Sequence, residues 1–288
     1  MSDGGCTQKI GGFMTTKMNH GESLKEDLVL IERQLQRRHA LKLFGAAAGV
    51  AALGVGSRLL VPSRALAAPS QCTADAPETA GPYPADGTNH ATGETSDVLT
   101  ESGVVRKDIR RSFLSTRTKA KGIPVHLELT VIDTNSGCVP VSGFAVYIWQ
   151  CDRDALYSLY TIATESYLRG VQVSDESGHL SFKTIFPACY PGRWPHMHLE
   201  IFASLDDATN GRNSILTTQL ALPAEVCSEV YGNAKGYERS IQNFANITLQ
   251  QDSVFGDDNA AQLKVMTPKF RGSITDGYTA KATLGVPV

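Results

Sequence analysis

The chain lacks an apolar run long enough to cross a bilayer. Its longest such stretch, Leu43–Gly56, is rich in Gly and Ala and is broken at once by Ser57 and Arg58. A spanning helix needs about 20 apolar residues, so no stable membrane anchor is expected. Basic excess is missing too: 27 Lys and Arg face 29 Asp and Glu, a net charge of -2. Residues 1–67 hold nine basic and five acidic residues, so residues 68–288 hold 18 and 24, a net of -6. An acidic body is a poor partner for phosphate backbones, which argues against nucleic acid. The six cysteines include no CxxC pair, so a zinc ribbon has no support. After residue 67 we find no internal repeat, coiled coil or low-complexity tract.

What is present begins with an address. Arg37-Arg38 stands just before Leu43–Gly56, and Ala65-Leu66-Ala67 supplies the small residues of a cleavage site. Residues 1–67 thus resemble a tail followed by a twin-arginine signal, a route for folded and often cofactor-loaded proteins. The stretch before the arginine pair is long for such a signal, which makes Met14 and Met18 alternative starts. An exported product, periplasmic or extracellular, is expected, with 68–288 as a single domain. Cleavage leaves Cys72, Cys138, Cys151, Cys189 and Cys227, an odd set with at least one thiol unpaired inside the chain. Cys72 with Cys138 is the first candidate bridge.

Residues 68–124 read as an extended lead-in, rich in Pro, Gly and Thr in its first part. Short strands follow: Val125–Asp133, Gly143–Trp149, Val171–Val173, His179–Phe182, His196–Phe202 and Ser214–Leu222. Asp175-Glu-Ser-Gly178 predicts a hairpin between the third and fourth. Ala224–Tyr231 suggests a short helix, and Lys281–Val286 a strand that closes the sheet. The fold class expected is all-β: a β-sandwich of short, mostly antiparallel strands with few short helices.

In His196–Phe202, alternation sends Met197, Leu199 and Ile201 to the core and puts His196, His198 and Glu200 on the opposite face. Two imidazoles so placed can approach one ion, although a bare His-x-His is more often a solvated strand face. Pro187, Pro191 and Pro195 stiffen the approach to this strand. Tyr190 and Arg193 lie within it, and Tyr157 lies upstream. Phenolate oxygens are hard donors that favour Fe(III). A zinc or copper hydrolase is a weaker alternative, because Glu200 is the only carboxylate beside the pair and the tyrosines go unused. Tyr147 and Trp149 read as core, Cys151 and Cys189 as packing thiols, and Asp152 and Asp154 as solvated loop charges.

Trp149-Gln-Cys-Asp-Arg-Asp-Ala-Leu-Tyr157-Ser and Phe186-Pro-Ala-Cys-Tyr190-Pro-Gly-Arg193-Trp-Pro-His196-Met-His198 together resemble the intradiol ring-cleavage dioxygenases, relatives of the protocatechuate and catechol enzymes. Gly81-Pro-Tyr-Pro84, Arg106–Arg110 and Thr218-Gln219-Leu220 follow in the family's order. The resemblance implies non-haem Fe(III) held by Tyr157, Tyr190, His196 and His198, with hydroxide as fifth ligand. Tyr190 and His198 are then axial, and Tyr157 and His196 equatorial. It also implies catalytic roles for Tyr190 as base, Arg193 and Gln219. The implied reaction cleaves a catecholic ring with O2 between its hydroxyl-bearing carbons, giving a muconate-type dicarboxylate. Homo-oligomer formation is left open. The family carries Gly shortly before the first tyrosine, where this chain has Ala155-Leu156. The short interval from Tyr190 to His196 matches the exported members. The runner-up is a non-catalytic exported β-sandwich binding module that retains a metal site.

Overall fold

The computed structural model describes residues 72–288. The arginine pair, the apolar run, the cleavage site and the 67/68 boundary lie outside the described residues. Among the described residues, no helix is long and apolar enough to cross a membrane.

Among the described residues, nine strands form two sheets: β1 (Pro124–Asp133), β2 (Val139–Pro140), β3 (Ala145–Trp149), β4 (Arg169–Val173), β5 (His179–Ile185), β6 (His196–Phe202), β7 (Leu216–Ala221), β8 (Lys269–Ser273) and β9 (Gly277–Val286). One sheet runs β4-β3-β6-β7, all antiparallel. The other runs β2-β1-β9-β8, with β5 also paired to β1. Alternation builds the core between them. Val125, Leu127, Leu129 and Val131 of β1 face Met197, Leu199 and Ile201 of β6 in one apolar cluster. The expected β-sandwich is therefore the observed architecture.

One expectation needs correction. The turn at Asp175–Gly178 does not close a hairpin, because β4 pairs with β3 and β5 pairs with β1. Asp175 does organise a turn, its Oδ1 accepting from the Ser177 and His179 amides. However, Ser174 continues the bonding to Phe144 and Gly143, and Gly178 O already accepts from Val131 N. A turn signal locates a bend and says nothing about whether its flanks pair. The strand expected over Lys281–Val286 is present, as the second half of β9. β9 lies parallel to β1 and antiparallel to β8, inside the sheet.

Three helices follow β7: α1 (Ala224–Asn233), α2 (Glu238–Ala245) and α3 (Ala260–Met266). Helix α1 is the anticipated one; it buries Val226, Cys227, Val230 and Tyr231 against the main core. Helices α2 and α3 and strand β8 had no clear sequence signal. The lead-in crosses the outer face of the β4-β3-β6-β7 sheet. There Ala85, Val98, Leu99 and Val104 pack on Tyr147, Trp149 and Phe202 as a second core. Consequently β6 is buried on both faces along its whole length. Cys72 and Cys138 form a disulfide with Cα atoms 5.7 Å apart, which ties the start of the lead-in to the β1–β2 turn.

Candidate metal centre

His196 and His198 project from β6 toward the lead-in, on the face that alternation assigns them. Tyr190 comes from the β5–β6 loop and Tyr157 from the β3–β4 loop. The latter loop is built around Asp152, which is buried and not a solvated charge as its loop position suggested. Its Oδ1 accepts from the Asp154 and Leu156 amides, and its Oδ2 accepts from the Tyr167 hydroxyl. Ala155 and Leu159, on either side of Tyr157, are left-handed at φ 66°. Such a backbone costs a non-glycine residue roughly 1–2 kcal/mol, and strain of this kind clusters at functional sites. Buried Arg169 then fastens the loop: it donates to Ser158 O and Oγ, to the Tyr83 and Pro84 carbonyls, and to Tyr147 Oη.

Four donor atoms converge. Tyr157 Oη lies 3.4 Å from Tyr190 Oη, which lies 3.0 Å from His196 Nε2. His196 Nε2 is 3.1 Å from His198 Nε2, and that atom is 3.3 Å from Tyr157 Oη. The ring is closed, with Tyr190 across from His198 and Tyr157 across from His196. Edges of this length suit neighbouring ligands of one ion at bonds of roughly 2.0–2.2 Å. Trp194 O accepts from His196 Nδ1, which turns the Nε2 lone pair toward the ring. Two nitrogens at 3.1 Å cannot both present lone pairs without repulsion, and a shared cation removes it.

The electrostatics agree. Burial, then Arg193, holds the His196 imidazole well below its ordinary pKa. Burial, then His196, does the same to His198. Both are therefore neutral, the form that ligates a metal. Burial pushes both phenols up, and the neighbouring Tyr190 raises Tyr157 further. Ionising the pair needs positive charge beyond Arg193. Among the described residues, no group of three or more His, Cys, Asp or Glu could hold a metal. The quartet fits an ion only because half of it is phenol, a donor set suited to a hard, oxidised metal.

Arg193 is 3% exposed and reaches the ring from one side, its Nη1 3.5 Å from His196 Nε2. Its Nη2 donates to Gln219 Oε1 at 2.7 Å, and Gln219 Nε2 donates to Thr79 O at 2.8 Å. Both ends of that amide are thus engaged, and Gln219 holds the guanidinium. Sequence reasoning missed Asp252. Its Oδ2 accepts from Arg193 Nε at 2.9 Å and from Trp194 N at 2.6 Å, while Oδ1 accepts from the Val254 and Phe255 amides. Burial works against the arginine's charge, but Asp252 and Tyr190 outweigh it and raise its pKa. The signal for Asp252 was absent because a lone Asp in a polar segment reads as solvated.

The walls are aromatic. Trp149 stacks on His198, with centroids 4.9 Å apart and planes 8° apart. Tyr83 lies over Tyr157 at 4.7 Å. Gly81, at φ 70°, brings the lead-in so close that an added Cβ would sit 3.3 Å from His198 Cε1. Glu200 lies beside Asp86. Burial, then the charge of that neighbouring carboxylate, raises its pKa well above the carboxylate range, so it supplies no base here. Cys151, Cys189 and Cys227 are buried and unpaired, as packing thiols should be. Burial pushes Cys189 up to about 12.

No family model matches the sequence, and no curated protein does. Solved structures do match. An intradiol ring-cleavage dioxygenase from Tetranychus urticae superposes with a TM-score of 0.55 at 24% identity, covering 75% of this chain and 96% of that one. The dioxygenase domain of a dioxygenase and carbohydrate-binding fusion from Streptomyces sp. SirexAA-E gives 0.45 at 19% identity, over 75% and 99% of the two chains. A 3-chlorocatechol 1,2-dioxygenase from Rhodococcus opacus 1CP gives 0.43 at 16%, over 76% and 75%. Nothing rests on the two lower scores. The first establishes that the chain has the fold of an intradiol ring-cleavage dioxygenase.

Proposed function

We propose that the chain is an exported intradiol dioxygenase. It holds non-haem Fe(III) through Tyr157, Tyr190, His196 and His198, and uses O2 to cleave a catecholic ring between the hydroxyl-bearing carbons to a muconate-type dicarboxylate. The observation that carries this reading is the closed ring of two phenol oxygens and two imidazole nitrogens, with edges of 3.0–3.4 Å. When bound, a ferric ion supplies the charge that favours a deprotonated catechol and the redox link between that ring and O2.

The chain's own groups do the rest. Tyr190 stands next to Arg193 in the electrostatics of the site, and the arginine favours its phenolate. A phenolate there can accept one catechol proton at Oη as a general base. Arg193 cannot lose its proton and is fixed by Asp252 and Gln219, so it presents a preorganised charge to an anionic ring. Tyr83 against Tyr157 and Trp149 stacked on His198 put aromatic rings beside the donor atoms, surroundings that suit a flat aromatic substrate.

The test is a visible spectrum of the purified, iron-replete protein before and after anaerobic catechol addition. A broad phenolate-to-iron band that moves to longer wavelength with catechol is expected. A protein that stays colourless after ferric loading overturns the reading and leaves a binding module.

A further inference from the structure

The metal centre uses the outer face of one sheet. The outer face of the other sheet carries a groove of about 950 Å³ on the opposite side of the sandwich. Alternation along β1 sends His126, Glu128 and Thr130 into it, and Lys281 of β9 and Lys269 of β8 join them. Lys107, Lys264 and Asp175 also line it, and the end of β4 borders it. Glu128 is already neutralised, since Lys281 Nζ is 2.6 Å from its Oε2. Among the described residues, Lys107, Lys264 and Lys269 have no ion-pair partner. Lys183 of β5 and Arg271 of β8 extend the same face by their strand positions.

This charge is out of keeping with the body that bears it, which is net negative. It also works against the sheet. Lys269 and Lys281 are direct cross-strand partners, and like charges so placed are destabilising. We propose that the groove binds a linear polycarboxylate, an acidic polysaccharide chain. Unpaired cations contributed by three separate elements, Lys107 of the lead-in, Lys264 of α3 and Lys269 of β8, suit a polymer with repeated carboxylates better than a single small acid. No Phe, Tyr or Trp lines the groove, so it lacks the broad stacking platform that nucleobases favour. Leu129 and Leu180 are buried, and Val173 is the single lining residue among the exposed large hydrophobics, too little for an apolar wedge into a membrane. Because the groove and the metal centre lie on opposite outer faces, a bound polymer leaves the centre open. The inference does not depend on the reaction proposed above.

The test is binding of polygalacturonate to the purified protein, by calorimetry at low and high salt, with dextran as the neutral control. Binding to polygalacturonate alone, weakened by salt, is expected. The K107E/K264E/K269E variant should lose about tenfold or more in affinity, the order for reversing three exposed charge contacts. Its metal-centre spectrum should be unchanged. Lys269→Thr should raise Tm while weakening binding, which a merely structural lysine would not do. The proposal is overturned by polygalacturonate that fails to bind at low salt, or that binds the triple variant as well as the parent. Binding of phosphatidylglycerol vesicles but not the polymer overturns it too. So does self-association that the triple variant abolishes while no polymer binds.

Discussion

Asp252 and Arg193 form an ion pair of 2.9 Å in which the side chains are 0% and 3% exposed. The carboxylate belongs to the segment between α2 and α3, and the guanidinium to the loop that carries Tyr190. The pair therefore couples the helical region to the charge beside the Tyr157, Tyr190, His196 and His198 cluster.

Removing the carboxylate outright should be costly. Asp252→Ala leaves a buried cation unpaired, and a loss of about 3–5 kcal/mol in denaturant unfolding is expected. Asp252→Asn keeps the shape but loosens the guanidinium. For that variant we expect catechol turnover to fall by about 10²-fold while the phenolate-to-iron band persists. Unchanged turnover would mean that Arg193 does not stabilise charge in the reaction.

Tyr190→Phe removes the hydroxyl that faces His196 Nε2 at 3.0 Å. If Tyr190 is both ligand and base, turnover should drop by about 10²–10⁴-fold, and the visible band should shift or fade. Persistence of both the band and the rate would assign the base elsewhere.

Ala155 and Gly81 make opposite predictions at similar backbone angles, φ 66° and 70°. Ala155→Gly relieves left-handed strain and should stabilise by up to about 1 kcal/mol, after the entropy cost of glycine. A rise in Tm checks it. Gly81→Ala adds strain and presses on the His198 ring, so it should lower both Tm and iron occupancy.

Asp75 sets a pH dependence. Burial raises its pKa to about 7, against a hydrogen bond from the Gly285 amide that lowers it. The folded state then binds a proton that the unfolded chain has lost, so this group's contribution is full below about 4 and vanishes as pH rises through about 7. Asp75→Asn should flatten that fall, a change of order a few kcal/mol at most. Urea unfolding of both proteins from pH 4 to pH 8 measures it, and parallel profiles would exclude the effect.

The Cys72–Cys138 disulfide closes a loop across a sequence separation of 66. Chain entropy sets its contribution at about 4 kcal/mol. Replacing both cysteines with alanine should lower the unfolding midpoint accordingly, while Cys151, Cys189 and Cys227 stay unreactive toward thiol reagents in the folded state.

The face that His196 and His198 share on β6 was legible because strand alternation is local and its neighbours are stiff prolines. The sandwich was legible from the spacing of short strands. The partners of those strands were not, as β4 and β5 show: pairing is decided by distant backbone, which no local pattern contains. Asp252 and Arg169 stayed hidden for a related reason. Each is a charge whose burial is made acceptable by groups far away in sequence. Asp152 was misread for the same cause, since its loop folds around its carboxylate.

The inserted strand β9 also governs when the domain can exist at all. Thr134 Oγ1 bonds Val286 O across 152 positions, and β1 shares a full ladder with β9. A chain emerging from the ribosome cannot complete this sheet until β9 is free. Assembly therefore depends on slow, long-range closure between segments more than 140 residues apart.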